Sequence, residues 1–391
     1  MSPAPPRVGV FGYFGMGNIG NEATLTAFLA ALRARHPGVE VRAFVAGPDE
    51  VEREHGVSAT RLMTYRPSRT HPRPVDVTLK ALSRLWDVPR TFRAVGSVDV
   101  LVVPGTGVLE TTLLAQPWSL PYWMFLAVAC ARLRGRRVAL VAVGAEPAGA
   151  LVTRALHAWT VRLAHHVSYR DAASRAAMEQ SGAPRKDAAV YPDLAFGLPA
   201  PAPRPRRRDL VVLGVMRYGG ALGEVGVERY TAAMTDAVCA LVDSGKEVRT
   251  IVGDVADLPL AHEIATRARS RGAVAVDVSA AVTMTGLMEE TAVAGVVVAS
   301  RFHNVIAALL AGAPVVSLGY AEKNARLLRE VGQEGTSQRI DHVEVDRLLR
   351  AIEGAAASSP QARDATLGVL EGYRKELDDL YRVLSTLVDD R

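Results

Sequence analysis

Five polar side chains that could bind an anion follow two apolar segments, residues 296–300 and 315–319: Arg301, His303, Asn304, Tyr320 and Lys323. The Ala- and Leu-rich residues between the segments predict a helix, so the whole stretch predicts a βαβ unit. Ligands of such units bind beyond the carboxyl ends of the strands, where the helix N-terminus attracts negative charge. The spacing therefore predicts a phosphate or carboxylate site. The alternative is that Arg301 and Lys323 are solvated surface charges and His303 only caps the helix.

A glycine-rich turn near the start of the sequence is a second candidate. It lies between an apolar segment at residues 8–11 and a predicted helix at residues 23–35, and its candidate ligand contacts are Gly17, Asn18, Gly20, Asn21 and Glu22. Glycine lets the backbone approach a ligand closely. Gly15, Gly17 and Gly20 also match the G-x-G-x-x-G pattern of dinucleotide sites. The next predicted strand, residues 39–44, lacks a terminal acidic residue for a ribose, which disfavours a dinucleotide. A tight turn without a ligand is the other alternative.

Several other predicted strands end in residues that could line a site: Gly105, Thr106, Gly107, Arg170, Asp193, Arg217 and Asp254. The carboxyl ends of parallel strands lie along one edge of a sheet, so these residues predict polar sheet edges. Asp171 precedes a predicted helix at residues 172–181 and is expected to cap it, and Arg170 beside it could be structural.

The elements that position these residues alternate between strand and helix in both halves of the chain. We predict the α/β class, with two Rossmann-like domains that face a cleft and a last helix packed across both. The predicted domains are residues 1–198 and 210–365, joined by a proline- and arginine-rich linker at 199–209 and followed by an amphipathic helix at 366–391. Residues 48–91 contain several prolines and are predicted to be irregular.

Composition restricts the possible functions. A net charge of +5 allows peripheral contact with an anionic membrane, and no motif predicts nucleic-acid binding. Cys130 and Cys239 lie in apolar helical patterns, as buried thiols in a reducing cytoplasm do, and no residue spacing predicts a metal site. Neither a signal peptide nor a transmembrane segment is predicted, so the expected location is the cytoplasm. The oligomeric state is not predicted.

The order and spacing of the motifs resemble the polysaccharide pyruvyl transferase family over residues 8–332. The resemblance rests on Gly17-Asn18-Ile19-Gly20-Asn21-Glu22, Gly105-Thr106-Gly107, Tyr169-Arg170-Asp171, Pro192-Asp193, Ser300-Arg301-Phe302-His303, Gly312-Ala313-Pro314 and Tyr320-Ala321-Glu322-Lys323. No single motif is specific. The family has Gly-Asp-Glu where this sequence has Gly20-Asn21-Glu22, and a triple-glycine turn where it has Gly105-Thr106-Gly107.

The resemblance implies a GT-B-type enzyme that moves a pyruvyl group from phosphoenolpyruvate to two hydroxyls of a sugar, forms a ketal and releases phosphate. It implies a glycan or glycosylated acceptor on the N-terminal domain, as in polysaccharide biosynthesis, and a donor site on the C-terminal domain. Phosphoenolpyruvate is itself the donor substrate, so no cofactor or metal is expected. The cations that would bind it are Arg301, His303, Lys323 and Arg217. His303 is the candidate acid, and Asp193 or Glu22 the candidate base.

Other functions fit the same architecture. A GT-B glycosyltransferase would bind a nucleotide-sugar and would need a ribose-binding glutamate in the second domain, for which Glu322 is the candidate. A sugar- or anion-binding protein would use the same residues without turnover. A transferase acting on a small glycosylated secondary metabolite is the third alternative.

Overall fold

Alternating strands and helices build two parallel β-sheets. The computed structural model describes residues 5–61, 63, 73–110, 117–217, 219–319, 322–333, 337–358 and 360–390. Contacts divide the chain into a first unit, Met1–Met16, Thr24–Leu194 and Lys375–Arg391, and a second unit, Gly17–Ala23 and Ala195–Arg374. This division differs from the predicted domains in three places: residues 17–23 belong to the second unit, residues 195–209 also belong to it, and the last helix is shared.

The first unit contains seven strands in its described residues. They are β1 (Arg7–Gly12), β2 (Glu40–Val45), β3 (Ser58–Arg61), β4 (Val100–Pro104), β5 (Arg137–Val143), β6 (His166–Tyr169) and β7 (Ala189–Val190). The helices are α1 (Ile19–Arg35), α2 (Pro48–His55), α3 (Arg73–Val95), α4 (Leu120–Leu133), α5 (Leu151–Leu163) and α6 (Ala172–Gln180). All strands are parallel, in the order β3-β2-β1-β4-β5-β6-β7. The central strand β4 is buried at every position, as its continuous apolar sequence predicts for a parallel strand covered on both faces.

The second unit repeats this arrangement with six described strands. They are β8 (Arg207–Val215), β9 (Glu247–Val252), β10 (Val276–Val278), β11 (Ala294–Ala299), β12 (Val315–Gly319) and β13 (Ser337–Arg339). The helices are α7 (Gly219–Asp243), α8 (Leu258–Ser270), α9 (Met284–Ala292), α10 (Phe302–Leu310), α11 (Glu322–Glu330) and α12 (Val345–Ala356). The parallel order is β10-β9-β8-β11-β12-β13.

Both strand orders reverse direction once, between β1 and β4 in the first sheet and between β8 and β11 in the second. Beyond the carboxyl ends of the strands, such a switch point leaves a crevice where α/β proteins bind ligands. Residues 105–107 follow β4, and residues 300–304 follow β11. The predicted α/β class with a Rossmann-like unit in each half is therefore confirmed.

Helix α13 (Pro360–Asp389) ends the described chain. It buries an apolar stripe that includes Leu370, Leu377, Leu380 and Leu384, as the helical spacing of these residues predicts. Its residues up to Arg374 belong to the second unit and the rest to the first. None of the helices in the described ranges has both the length and the apolar character of a membrane span.

The prediction that residues 48–91 are irregular was wrong over the described part, which contains α2, β3 and most of α3. Pro48 begins α2, where the missing N–H of proline costs no hydrogen bond. Pro89 lies inside α3. Prolines that we interpreted as breakers are therefore compatible with helices here.

Candidate functional site

Arg301 and His303 lie at the switch point of the second sheet. Strand β11 ends at Ala299, and Arg301 is the N-cap residue of α10, with no side-chain cap hydrogen bond of its own. Helix α10 is strongly apolar and buried, so its position against the sheet is fixed by packing. His303 therefore stands in the first turn of a well-anchored helix, where the helix dipole favours an anion.

The Arg301 guanidinium is held by two carboxylates. Its Nε and Nη2 donate to the two oxygens of Asp257 at 2.8 and 3.1 Å, and its Nη1 lies 3.8 Å from an Asp254 oxygen. Asp257 is buried and also accepts a hydrogen bond from the Arg217 backbone N–H at 3.0 Å. Arg301 is thus a positioned, partly neutralised cation, and not the solvated surface charge of the alternative interpretation. Its side chain keeps 15% of its surface exposed.

The segment around Asn18 packs on the end of β9. The Asn18 amide donates to Asp254 at 3.0 Å, the Ile19 N–H donates to the Gly253 carbonyl at 3.1 Å, and the Gly17 carbonyl accepts from Val255 at 3.0 Å. The Asn18 side-chain oxygen also accepts the Asn21 N–H at 3.1 Å. This cap makes α1 begin at Ile19, four residues before the predicted start. Gly20, Asn21 and Glu22 are consequently helical residues.

Gly20 contacts His303 directly. A Cβ atom built on Gly20 would lie 2.0 Å from His303 Nδ1, so only glycine allows the imidazole to occupy this place. The ring of Phe302 meets the imidazole edge-on at 5.5 Å, and Lys323 Nζ lies 5.8 Å from the Phe302 ring centre. The first turns of α1 and α10 therefore converge on His303, within the second unit.

Asn304 and Ser300 form the base of this site. Asn304 is fully buried between the α-carbons of Gly214 and Gly253, and its amide has no hydrogen-bond partner among the described residues. Ser300 donates to the Gly214 carbonyl at 2.7 Å and lies 3.3 Å from the Tyr230 hydroxyl. Burial raises the pKa of Tyr230 to about 12, so this phenol stays neutral.

The first unit gathers a second group of predicted residues. The Arg170 side chain, only 4% exposed, hydrogen-bonds to Glu110 and lies 3.6 Å from Asp193 and 3.9 Å from Asp171. Asp171 also caps α6 by accepting the Ser174 N–H at 2.6 Å, which confirms the predicted cap. The buried Arg170 guanidinium is thus paired with three carboxylates, one of which is that of Asp193.

The turn after β4 is strained. Gly105 has a φ of 54°, and Thr106 has a φ of 59°, which β-branched residues rarely adopt. The Thr106 hydroxyl is buried and has no hydrogen-bond partner within the described part of the chain. At Gly107 a Cβ would lie 2.5 Å from the Glu110 carboxyl carbon. This turn is closely packed around the carboxylate that holds Arg170.

The predicted site residues therefore fall into two groups. The second unit brings together Gly17, Asn18, Gly20, Asn21, Glu22, Asp254, Arg301, His303 and Asn304. The first unit holds Gly105, Thr106, Gly107, Arg170 and Asp193. Arg217 follows β8 with an exposed side chain, and Lys323 lies in the first turn of α11. Tyr320 lies outside the described residues.

Two carboxylates that the sequence analysis did not select prove central. Asp257 fixes Arg301, and Glu110 fixes Arg170. Glu110 stands three residues after Gly107, and Asp257 three residues after Asp254, so both follow a strand-end turn already singled out. A search for acidic residues just after each strand-end turn would have selected them as candidates.

Comparisons with known proteins agree with this architecture. The family model described as polysaccharide pyruvyl transferase matches residues 18–322. The structure of UDP-GlcNAc 2-epimerase from Neisseria meningitidis bound to UDP-GlcNAc is similar with a TM-score of 0.62 at 10% identity, covering 99% of this chain and 100% of that chain. The UDP-GlcNAc 2-epimerase from Methanocaldococcus jannaschii is similar with a TM-score of 0.59 at 10% identity, covering 93% of this chain and 99% of that chain. The structure of Anabaena HepE in complex with UDP and glucose is similar with a TM-score of 0.59 at 12% identity, covering 99% of this chain and 100% of that chain. A search of curated proteins found no match.

At these identities the solved structures show the fold alone, which is of the two-domain GT-B type. The family model is the more specific finding, because it spans most of the chain and includes the segment from Asn18 to Glu22 and the Arg301–His303 motif. The chain belongs to the polysaccharide pyruvyl transferase family.

Proposed function

We propose that the protein transfers a pyruvyl group from phosphoenolpyruvate to two hydroxyls of a sugar or glycosylated acceptor, forming a cyclic ketal and releasing phosphate. Membership of the family supports the transferase class. The observation that carries the proposal is His303, held against Gly20 in the first turn of α10 and close to the fixed Arg301.

The reaction can be balanced step by step. One proton adds to C3 of the enol and turns the methylene into a methyl group, and one sugar hydroxyl adds to C2. The bond between C2 and the phosphate oxygen breaks, and the second hydroxyl then closes on C2. The two hydroxyls lose two protons, of which C3 takes one and the phosphate takes the other. No electrons are exchanged, so the proposed reaction requires no redox cofactor.

The proposed donor site uses the N-terminus of α10. Phosphoenolpyruvate carries a phosphate and a carboxylate, and a helix N-terminus such as the start of α10 favours negative charge. Lys323 and Arg217 add positive charge at neighbouring strand ends, and Arg301 is oriented by Asp257. A cation that is already in place costs no reorganisation when charge develops on the departing phosphate.

We assign the acid to His303 and the base to Glu22. Imidazole can donate a proton near neutral pH, which protonation of C3 requires. Glu22 is half-buried in the first turn of α1, two residues after Gly20. Asp193 was the other candidate base, but its side chain is 2% exposed and is paired with Arg170. A carboxylate that is needed to balance a buried arginine is poorly suited to accept a proton.

The first test is ligand-dependent thermal stability. Phosphoenolpyruvate should raise the melting temperature, because a ligand that binds only the native state stabilises it, and His303→Ala should reduce the shift. UDP-sugars, GDP-sugars and NAD serve as comparison ligands. A shift with a nucleotide-sugar and none with phosphoenolpyruvate would assign the protein to glycosyl transfer instead.

The second test is turnover, measured as phosphate release in an acceptor screen. His303→Ala should lower turnover by about 10²-fold or more while the circular dichroism spectrum is unchanged. Arg301→Lys, which keeps the charge but loses the two-point contact with Asp257, should also lower it. His342→Ala, an exposed histidine of the same unit, is the matched control. Wild-type rates in both site variants would move the active site elsewhere.

A further inference from the structure

Helix α3 of the first unit turns an apolar face to solvent. Val75, Leu79, Leu82 and Trp86 follow the i, i+4, i+7, i+11 spacing of one helix face, and all four are exposed, Trp86 at 71%. Leu85 beside them is 72% exposed. A surface helix normally directs such a stripe to the core. An exposed contiguous apolar patch indicates a surface that binds a partner.

The opposite, buried face of α3 is polar, which fixes this orientation. Asp87 is fully buried and lies 3.6 Å from the Arg84 guanidinium. Arg84 stacks on the Trp123 ring of α4 at 4.5 Å, and the Tyr122 hydroxyl donates to the Arg84 carbonyl at 3.0 Å. Rotating α3 to bury its leucines would expose or break these contacts. These polar contacts therefore keep the apolar face of α3 exposed to solvent.

Positive charge accompanies the apolar face. Helix α3, residues 73–95, contains five basic and two acidic residues, a net charge of +3. Within the described part, Arg90 and Arg93 continue α3 beyond Trp86. Together with Arg42 they line a depression of about 530 Å³ that includes Trp86. Cations thus border the apolar stripe, whose side chains are exposed to solvent.

We propose that α3 docks the protein on an anionic lipid bilayer. Leucine and tryptophan side chains enter the boundary between headgroups and acyl chains, as amphipathic interfacial helices do, and Arg90 and Arg93 contact lipid phosphates. Charge argues against a second copy of the chain on this face, because a symmetric contact would bring together two helices that each carry a net charge of +3. This inference is independent of the proposed reaction.

The test is sedimentation of the full-length protein with vesicles. The wild type should bind vesicles of phosphatidylglycerol and phosphatidylcholine, and the binding should weaken as salt is added. Trp86→Ser should weaken binding about tenfold, because one large apolar side chain no longer leaves water. Trp159→Ser, an exposed tryptophan of the same unit on α5 with 52% exposure, should bind like the wild type.

A charge variant separates the two contributions. Arg90→Gln combined with Arg93→Gln should weaken binding to anionic vesicles roughly 30-fold and leave binding to pure phosphatidylcholine unchanged. No binding of the wild type to anionic vesicles would overturn the proposal, as would equal losses for Trp86→Ser and Trp159→Ser. Self-association in sedimentation velocity that Trp86→Ser abolishes, without vesicle binding, would assign the face to a second copy.

Discussion

Arg170 in the first unit and Arg301 in the second both follow a sheet strand, and both meet at least two carboxylates. Arg170 follows β6, two strands from the switch point of its sheet, and its side chain is 4% exposed. Arg301 follows β11 at the switch point, keeps 15% exposure and begins the helix that carries His303.

We interpret the difference as one between a structural cation and a cation of the proposed donor site. Three carboxylates enclose Arg170, so its charge is used inside the protein. The carboxylates that hold Arg301 orient it at the edge of a ligand crevice, where a helix N-terminus adds positive potential. The chemistry of the residue is the same, but its place in the sheet decides how exposed its guanidinium is.

The largest contrast should come from removing each arginine. Arg170→Ala leaves three carboxylates without their buried counter-charge and should lower the free energy of unfolding by about 3–5 kcal/mol. Arg301→Ala leaves one buried carboxylate, Asp257, which still accepts the Arg217 N–H, and should lower the free energy of unfolding by about 1–3 kcal/mol. Urea unfolding of both variants measures the difference. Equal losses in stability would show that both arginines are structural.

A matched pair of glycine substitutions should separate activity from stability. Gly20→Ala places a Cβ 2.0 Å from His303 Nδ1 and should displace the imidazole, lowering turnover about 10²-fold, or about 2.7 kcal/mol in barrier height. Its stability should not fall by more than about 1 kcal/mol, because alanine favours the first turn of α1.

Gly144→Ala is the counterpart in the first unit. Its Cβ would meet the Arg170 Cζ at 2.7 Å, so the free energy of unfolding should fall by about 1–3 kcal/mol. Turnover per folded molecule should be retained. A loss of turnover without a loss of stability in Gly144→Ala would place the Arg170 network in the reaction.

The smallest effect concerns the strain beside the Arg170 network. Thr106→Gly should raise the free energy of unfolding by about 1 kcal/mol, because a φ of 59° strains a β-branched residue but not glycine. Thr106→Ala keeps a Cβ and should give no such gain. Thermal unfolding of the two variants distinguishes relief of strain from loss of the hydroxyl. Equal stabilities of Thr106→Gly and Thr106→Ala would show that the φ of Thr106 is not a source of strain.

Local patterns predicted much of the fold. The apolar residues 98–103 and 138–144 contain β4 and β5 to within a few residues, and Asp171 caps α6 as expected. These features depend on side chains close in sequence, so hydrophobic spacing and capping chemistry suffice to predict them. The start of α1 was missed because Asn18, read as a loop residue, is its cap.

The sequence by itself determined that the chain is an α/β protein, where many of its strands and helices lie, and that Arg301 and His303 begin a helix after a strand. Only the tertiary structure decided that Asp257, 44 residues before Arg301, holds its guanidinium, that Gly20 packs on His303, and that α3 faces outward with its apolar side. These outcomes depend on which distant segments meet, because burial and charge pairing are set by three-dimensional neighbours and not by spacing along the chain.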